Sequence, residues 1–390
     1  MSILIRRARV LTMDGEDAIH DGADVLIEGG AIASVGADLD APPDTDVIEA
    51  EGRVCMPAFV DAHTHACSFG DRLDEWEKQQ AGAAYLELLE SGGGIMSTVR
   101  AERGATRAQL AEALLERLDV MVSEGTCTVE VKSGYGLTTE DELKMLRAIA
   151  DASEEAFCSV VPTALIAHAK DPDEPDFVDR TINETLPAVH AEFPEIAVDA
   201  YCEKSAWSLE ETAALFENAM ELGHPIRVHT DQFNALGMTE WAIESGAASV
   251  DHLEATHPNV MKTLAQSGTF GVMLPCSGFH VDGRYGDGRA LLDAGGKLVI
   301  ATNVNPGSAP CSSMPMAIAL AVRHLGITAD ESIRACTSRA AELLGFHDWG
   351  VIMPGARADE IRLRHTGERL RGYEFGGNPV DMVVCNGHIV

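Results

Sequence analysis

His63-Thr64-His65 is the densest piece of metal-binding chemistry in this 390-residue chain. Two imidazoles one residue apart at the end of an extended segment point to the same side, because strand side chains alternate with period two. Neutral imidazole suits zinc and iron, and two ligands close in sequence lower the entropic cost of assembling a site. A hydrolytic metal centre also needs further protein ligands, an open position for water and a group that takes the water's proton. His229, in Val228-His229-Thr230-Asp231-Gln232, is the best candidate for a third ligand, and His252, in Val250-Asp251-His252-Leu253-Glu254, suits an acid/base or supporting role. A carboxylate further along would serve as ligand and proton acceptor together, yet the matching segment, Thr302-Asn303-Val304-Asn305, carries Asn303. An amide oxygen coordinates weakly and accepts no proton at neutral pH.

Cationic groups near these histidines are few. Arg72 lies seven residues beyond His65, where it could pair bidentately with a substrate carboxylate. The plainer reading is a surface arginine on an acidic protein. Tyr135, in Lys132-Ser133-Gly134-Tyr135-Gly136, could donate a hydrogen bond. Gly92-Gly93-Gly94 lacks the Lys-Ser or Lys-Thr of a phosphate loop and reads as a mobile or substrate-shaping loop.

The elements that must position these groups form an α/β alternation. Eight apolar, β-rich runs begin at Ala58, Cys127, Val160, Ala197, Ile226, Ala248, Thr269 and Leu298, with helical patterns such as Gln109 to Met121 and Leu209 to Leu222 between them. Eight such units are what a (β/α)₈ TIM barrel requires, and barrel enzymes keep their chemistry at the C-terminal strand ends. Run one ends at His63 and His65, run three at His168, run five at His229, run six at His252 and run eight at Asn303. Any one of these is as readily a satisfied histidine in a loop; five of the fourteen histidines falling there is not. The first fifty residues read as short strands at Ile3-Leu4-Ile5, Ala8 to Leu11, Val25 to Ile27 and Ile32 to Val35, and the C-terminal end offers Glu360 to Leu363 and Asp381 to Gly387. The expected organisation is a barrel over 57–344 and a small β-sandwich-like domain built jointly by 1–56 and 345–390.

Composition bounds the rest. Hydrophobic residues make up 46 % and none of the apolar runs is long enough to span a membrane. Met1 to Arg7 lacks the order of a secretory signal, so a cytoplasmic protein is expected. Nine cysteines without a CxxC pair argue against a zinc ribbon and a disulfide framework, and most read as small buried hydrophobes. A formal net charge of −33 repels nucleic acid and anionic membranes. An anionic small-molecule substrate would need local cations to overcome that field. A homodimer is expected on general grounds.

The residues resemble the imidazolonepropionase family of the metal-dependent amidohydrolase superfamily. The resemblance runs over nearly the whole chain: Asp61-Ala62-His63-Thr64-His65, Ser91 to Arg100, Val129 to Leu137, Asp251-His252-Leu253-Glu254 and Asn305-Pro306-Gly307-Ser308. It implies one divalent ion, zinc or iron, held by His63, His65 and His229, with Asn303 at the place of the family's aspartate ligand and proton shuttle. It also implies substrate contacts from Arg72, Tyr135 and His168, a pocket lined by Asn305, Gly307 and Ser308, and assistance to the attacking water from His252. Gln232 stands where the family has glutamate or glutamine near that water. The implied reaction opens the ring of 4-imidazolone-5-propionate to N-formimidoyl-glutamate, in histidine degradation.

Two departures matter. Asn303 replaces the aspartate, through either an inactivating substitution or altered chemistry. After run seven the chain reads Cys276-Ser277-Gly278-Phe279-His280-Val281-Asp282-Gly283-Arg284, unlike the family's aromatic stretch ending in Leu-Arg-Glu, which makes His280 and Arg284 candidate contacts to a related ring. The alternatives are a deaminase or desulfhydrase acting on a heterocycle such as a thioxo-imidazolidinone propionate, or a non-catalytic ligand-binding descendant.

Overall fold

The computed structural model describes residues 2–15, 18–82, 93–204 and 206–390. The N-terminal segment supplies β1 (Ser2–Leu11), β2 (Ile19–Glu28), β3 (Ala31–Gly36), β4 (Asp46–Glu49) and β5 (Val54–Pro57). The barrel strands follow: β6 (Phe59–Asp61), β7 (Thr126–Lys132), β8 (Ser159–Ala167), β9 (Ala197–Cys202), β10 (Ile226–Thr230), β11 (Ser249–His252), β12 (Phe270–Met273) and β13 (Leu298–Ile300). The chain returns through β14 (Glu360–Leu363), β15 (Val380–Cys385) and β16 (His388–Ile389).

Strands β6 to β13 pair in parallel, each with its neighbour in sequence, as a (β/α)₈ barrel. Helices cover the outside, so β7, β10 and β12 are buried along their whole length; β12 is apolar throughout, while β7 and β10 carry Glu130, Lys132, Arg227 and His229 among their apolar residues. The helices begin where their caps say. Thr106 and Gln109 form a capping box for Arg107–Ser123, Ser208 and Glu211 do the same for Leu209–Glu221, and Thr138 caps Thr139–Glu155.

The seam between β6 and β13 is closed at the C-terminal end rather than by a strand ladder. The Asn303 amide donates to the His63 carbonyl (3.1 Å) and the His65 amide to the Val304 carbonyl (3.0 Å). Below them the Asp61 carboxylate accepts from the Thr302 hydroxyl (2.5 Å) and amide (3.1 Å). Burial lifts Asp61 to about 7 against the pull of those hydrogen bonds.

The two ends of the chain build one mixed sheet in the order β16-β15-β14-β5-β1-β2-β3, with β4 also on β1. The apolar runs at Ile3 and Ala8 are a single strand. Its register against β2 shifts between Ile5 and Ala8, and Arg7 takes φ 53° there, so the two basic residues mark a bulge inside β1. Ile3, Ile5, Val25, Ile27, Cys55 and Val384 form this sheet's own core. Among the described residues no helix is long and apolar enough to cross a membrane.

Candidate metal centre

His63 and His65 sit just past β6, and His229 stands on β10. All three are buried, and one ring nitrogen from each lies within 4.8 Å of the others. The Nε2 atoms of His65 and His229 face each other at 3.2 Å. A carboxylate only accepts, so His63 Nδ1–H donates to Asp251 (2.6 Å) and His229 Nδ1–H to Asp199 (3.1 Å). These bonds fix the tautomers and leave both Nε2 lone pairs free. His63 Nε2 is buried without a protein partner, and so is the side-chain oxygen of Asn303. Burial first, then neighbouring positive charge, holds His63 and His65 far below the usual histidine range. His229 is lowered by burial too, against the pull of Asp199. Three buried imidazoles whose ring nitrogens cluster within 4.8 Å, two of them with Nε2 left as an acceptor, fit a divalent transition-metal ion.

Beneath the imidazoles lies a buried charge network that spacing arguments missed. Lys132 bridges Glu130 (2.8 Å) and Asp199 (2.9 Å), and Arg227 reaches Asp251 (3.0 Å) and Glu130 (3.4 Å). Each carboxylate that orients an imidazole is itself held by a cation. Burial pushes Asp199 up, but His229 and Lys132 together keep it well below the usual carboxylate range. These residues occupy inward-facing positions of otherwise apolar strands; a charged residue inside such a run was the available signal.

His252 ends β11, with its ring centroid 5.7 Å from that of His229 and its Nδ1 3.2 Å from Glu254 Oε1. Non-glycine residues with positive φ recur here: Asp231 (55°), His252 (92°), Leu253 (73°) and Asn303 (57°). Strain of this kind, about 1–3 kcal/mol each, collects where side chains must be aimed. His168, after β8, stacks on His65 at 4.8 Å between centroids and donates its Nδ1–H to the Gly134 carbonyl (3.1 Å). Burial lowers it to about 3, so it is neutral. Tyr135 is buried 5.1 Å from His168, centroid to centroid, and burial raises its phenol, which therefore donates. Gln232 accepts from the Tyr201 hydroxyl (2.7 Å), a partner not foreseen.

Arg72 is not a free guanidinium. Its Nε and Nη2 both donate to Glu75 Oε2 (3.0 and 2.6 Å), and that oxygen also receives the Gly94 amide (3.0 Å). Arg72 Nη1 packs against Gly307, where an added Cβ would lie 2.2 Å away. Asn305 spends its amide on the turn: its oxygen takes the Gly307 and Ser308 amides, and its nitrogen donates to the Asn303 carbonyl and Ser308 Oγ. Asn305 thus shapes the rim, while Gly307 brings it up to Arg72. Ser91 and Gly92 of the glycine-rich stretch lie outside the described residues. Past β12, Arg284 pairs with Asp282 (2.6 Å) and lies over the Phe233 ring at 5.1 Å, and His280 is half-buried.

A (β/α)₈ barrel with an HxH pair after its first strand, a strand-five histidine and a composite terminal sheet defines the class of metal-dependent barrel hydrolases. Residues 54–390 match the model of the amidohydrolase family. An imidazolonepropionase of Herpetosiphon aurantiacus is 43 % identical over 95 % of this chain and 90 % of its own length. One from Deinococcus radiodurans is 41 % identical over 96 % and 93 %. The crystal structure of N-isopropylammelide isopropylaminohydrolase from Burkholderia multivorans superposes with a TM-score of 0.76 at 20 % identity, over 100 % of this chain and 98 % of that one. The chain belongs to the amidohydrolase family, on its imidazolonepropionase branch.

Proposed function

We propose that this protein hydrolyses the cyclic amide of a small five-membered nitrogen ring carrying a propionate arm, converting 4-imidazolone-5-propionate to N-formimidoyl-glutamate in histidine degradation. The observation that carries this reading is the clustering of ring nitrogens from His63, His65 and His229 at the strand ends, beside the segment that carries Asn303, in a chain so similar to imidazolonepropionases. His63, His65 and His229 would hold one divalent ion, zinc or iron; when bound it supplies Lewis acidity.

The chain's own residues account for the other requirements. Arg72, kept rigid by Glu75, offers positive potential for the propionate carboxylate, and the Tyr135 hydroxyl is a second donor. His168, neutral and with Nδ1–H committed, presents Nε2 as an acceptor for a ring N–H. His252 has its Nδ1 proton held by Glu254, so its Nε2 can take a proton from the attacking water and return it to the departing ring nitrogen. Asn303, in place of the family's aspartate, is an amide and can do neither, which makes this chain an impaired catalyst.

The test compares this chain with its Asn303→Asp variant, both loaded with metal. Ring opening is expected to be faster in the aspartate protein by about 10²- to 10⁴-fold, the usual range for a positioned proton-transfer group. An Asn303→Asp protein that binds metal but turns over no imidazolone or hydantoin-like ring would sink the proposal. A second reading, loss of an exocyclic amino or thio group, draws on Arg284 and His280 beyond β12; released ammonia or sulfide distinguishes it from ring opening.

A further inference from the structure

A second cluster of ligand-type side chains lies at the opposite end of the barrel. Cys127 stands on β7, Cys158 immediately before β8, Cys385 at the end of β15, and Asp359 immediately before β14. All four are buried. Sγ of Cys127, Sγ of Cys385 and a carboxylate oxygen of Asp359 lie within 4.8 Å of one another. The parallel register pairs Thr128 with Ser159, which sets Cys158 beside Cys127 at the same edge.

We infer that Cys127, Cys158, Cys385 and Asp359 form a structural site for one thiophilic divalent cation of the zinc class, joining the terminal sheet to the floor of the barrel. Thiolates are the donors such an ion favours in structural sites, and a carboxylate oxygen is a ligand it also accepts. In a tetrahedral site with metal–sulfur bonds of about 2.3 Å, neighbouring sulfurs stand about 3.8 Å apart. Cys127, Cys385 and Asp359 are near that spacing already, and Cys158, outside the 4.8 Å group, would rotate toward them to complete the set. The thiols already contact one another's segments: Cys127 Sγ lies 3.7 Å from the Val384 carbonyl and is hydrogen-bonded with Cys385, whose Sγ also donates to the Phe157 carbonyl (3.0 Å) and is hydrogen-bonded with Asp359.

Asp359 is already aimed. Its Oδ1 accepts the Asn386 amide (2.6 Å) and its Oδ2 lies 2.8 Å from Arg357 Nε, the kind of outer support that orients a ligating carboxylate. Binding exchanges three thiol protons, released to solvent, for three metal–sulfur bonds, with no change of oxidation state. The place suits a structural role, since the N-terminal face of a (β/α)₈ barrel carries stability rather than chemistry. Because the cluster is buried, the ion would enter during folding.

The experiment uses the full chain produced in zinc-supplemented medium and dialysed against a weak chelator, followed by elemental analysis and exchange into cadmium. Wild-type protein should hold a second equivalent of metal and, with cadmium, show an ultraviolet thiolate-to-metal charge-transfer band. Cys385→Ser and Cys127→Ser should each lose the band and that equivalent, retain the imidazole-bound one, and unfold at a lower temperature. The difference in unfolding temperature should vanish when both proteins are refolded with chelator. Cys276→Ser, affecting a thiol elsewhere, should keep the band. A single equivalent in wild type with no charge-transfer band overturns the inference, and so does an intact-mass measurement that finds Cys127 and Cys385 joined as a disulfide. If the serine variants do not fold, the wild-type stoichiometry and band decide alone.

Discussion

Asp251 illustrates what a single residue does in this site. It holds His63 through a 2.6 Å hydrogen bond while Arg227 holds Asp251 at 3.0 Å, so ligand, orienting carboxylate and cation form one buried chain. Such partners typically change metal affinity by about 10- to 100-fold when altered. Asp251→Asn should therefore weaken metal binding by about that factor while leaving the chain folded, measured by competition with a chromophoric chelator. Unchanged affinity would mean that His63 is oriented by packing alone. Asn303 differs in kind. It already occupies a left-handed backbone conformation that asparagine and aspartate both tolerate, so the change to aspartate alters charge without altering the fold.

The loops that follow the strands decide what the metal centre can act on. Glu142 shows how one helix residue builds such a loop: its carboxylate accepts the amides of Gly134 (3.0 Å), Gly136 (2.9 Å) and Leu137 (2.9 Å), holding Tyr135 between them. On the other side, Gly307 leaves room for Arg72. A Gly307→Ala substitution places a methyl 2.2 Å from Arg72 Nη1 and must displace the guanidinium. The expected result is a KM raised about tenfold with metal content unchanged, because uniform substrate binding is lost. A kcat effect with constant KM would instead place Arg72 in the reaction itself. Much of this was legible beforehand. The eight strands appeared as apolar runs because they are buried on both faces, and the strand-end histidines followed from them. The pairing of Arg72 with Glu75, Tyr201 with Gln232, and the Lys132–Arg227 network were not legible. The last two depend on which residues of distant strands share a layer inside the barrel, and spacing within one strand carries no such information; Arg72 and Glu75 form a local pair three residues apart. The cysteine cluster was hidden likewise, its members coming from four separate segments.

At the scale of the whole molecule, buried charge sets the response to pH. Glu102, on the helix Ile95–Gly104, is fully buried, and burial raises it from 4.5 to about 8. Its folded-state value exceeds its unfolded one, so the unfolded chain releases this proton first. Stability from the protonated group is complete below about 4.5 and is lost as pH rises through about 8. Glu102→Gln removes that dependence. Its stability advantage over wild type, measured by denaturant unfolding, should grow by on the order of 1–3 kcal/mol between about pH 5 and about pH 8. An advantage that stays constant across that window would show that Glu102 is ionised and solvated in the fold.

The barrel's last seam has a consequence for how the molecule breathes. No strand ladder joins β6 to β13; the amides of Asn303 and His65 and the Asp61–Thr302 contact do the joining. The lock of the ring is therefore made from the same short stretches that carry the ligands. Parting this joint would draw His63 and His65 away from His229, so the seam and the imidazole cluster are tied to the same residues.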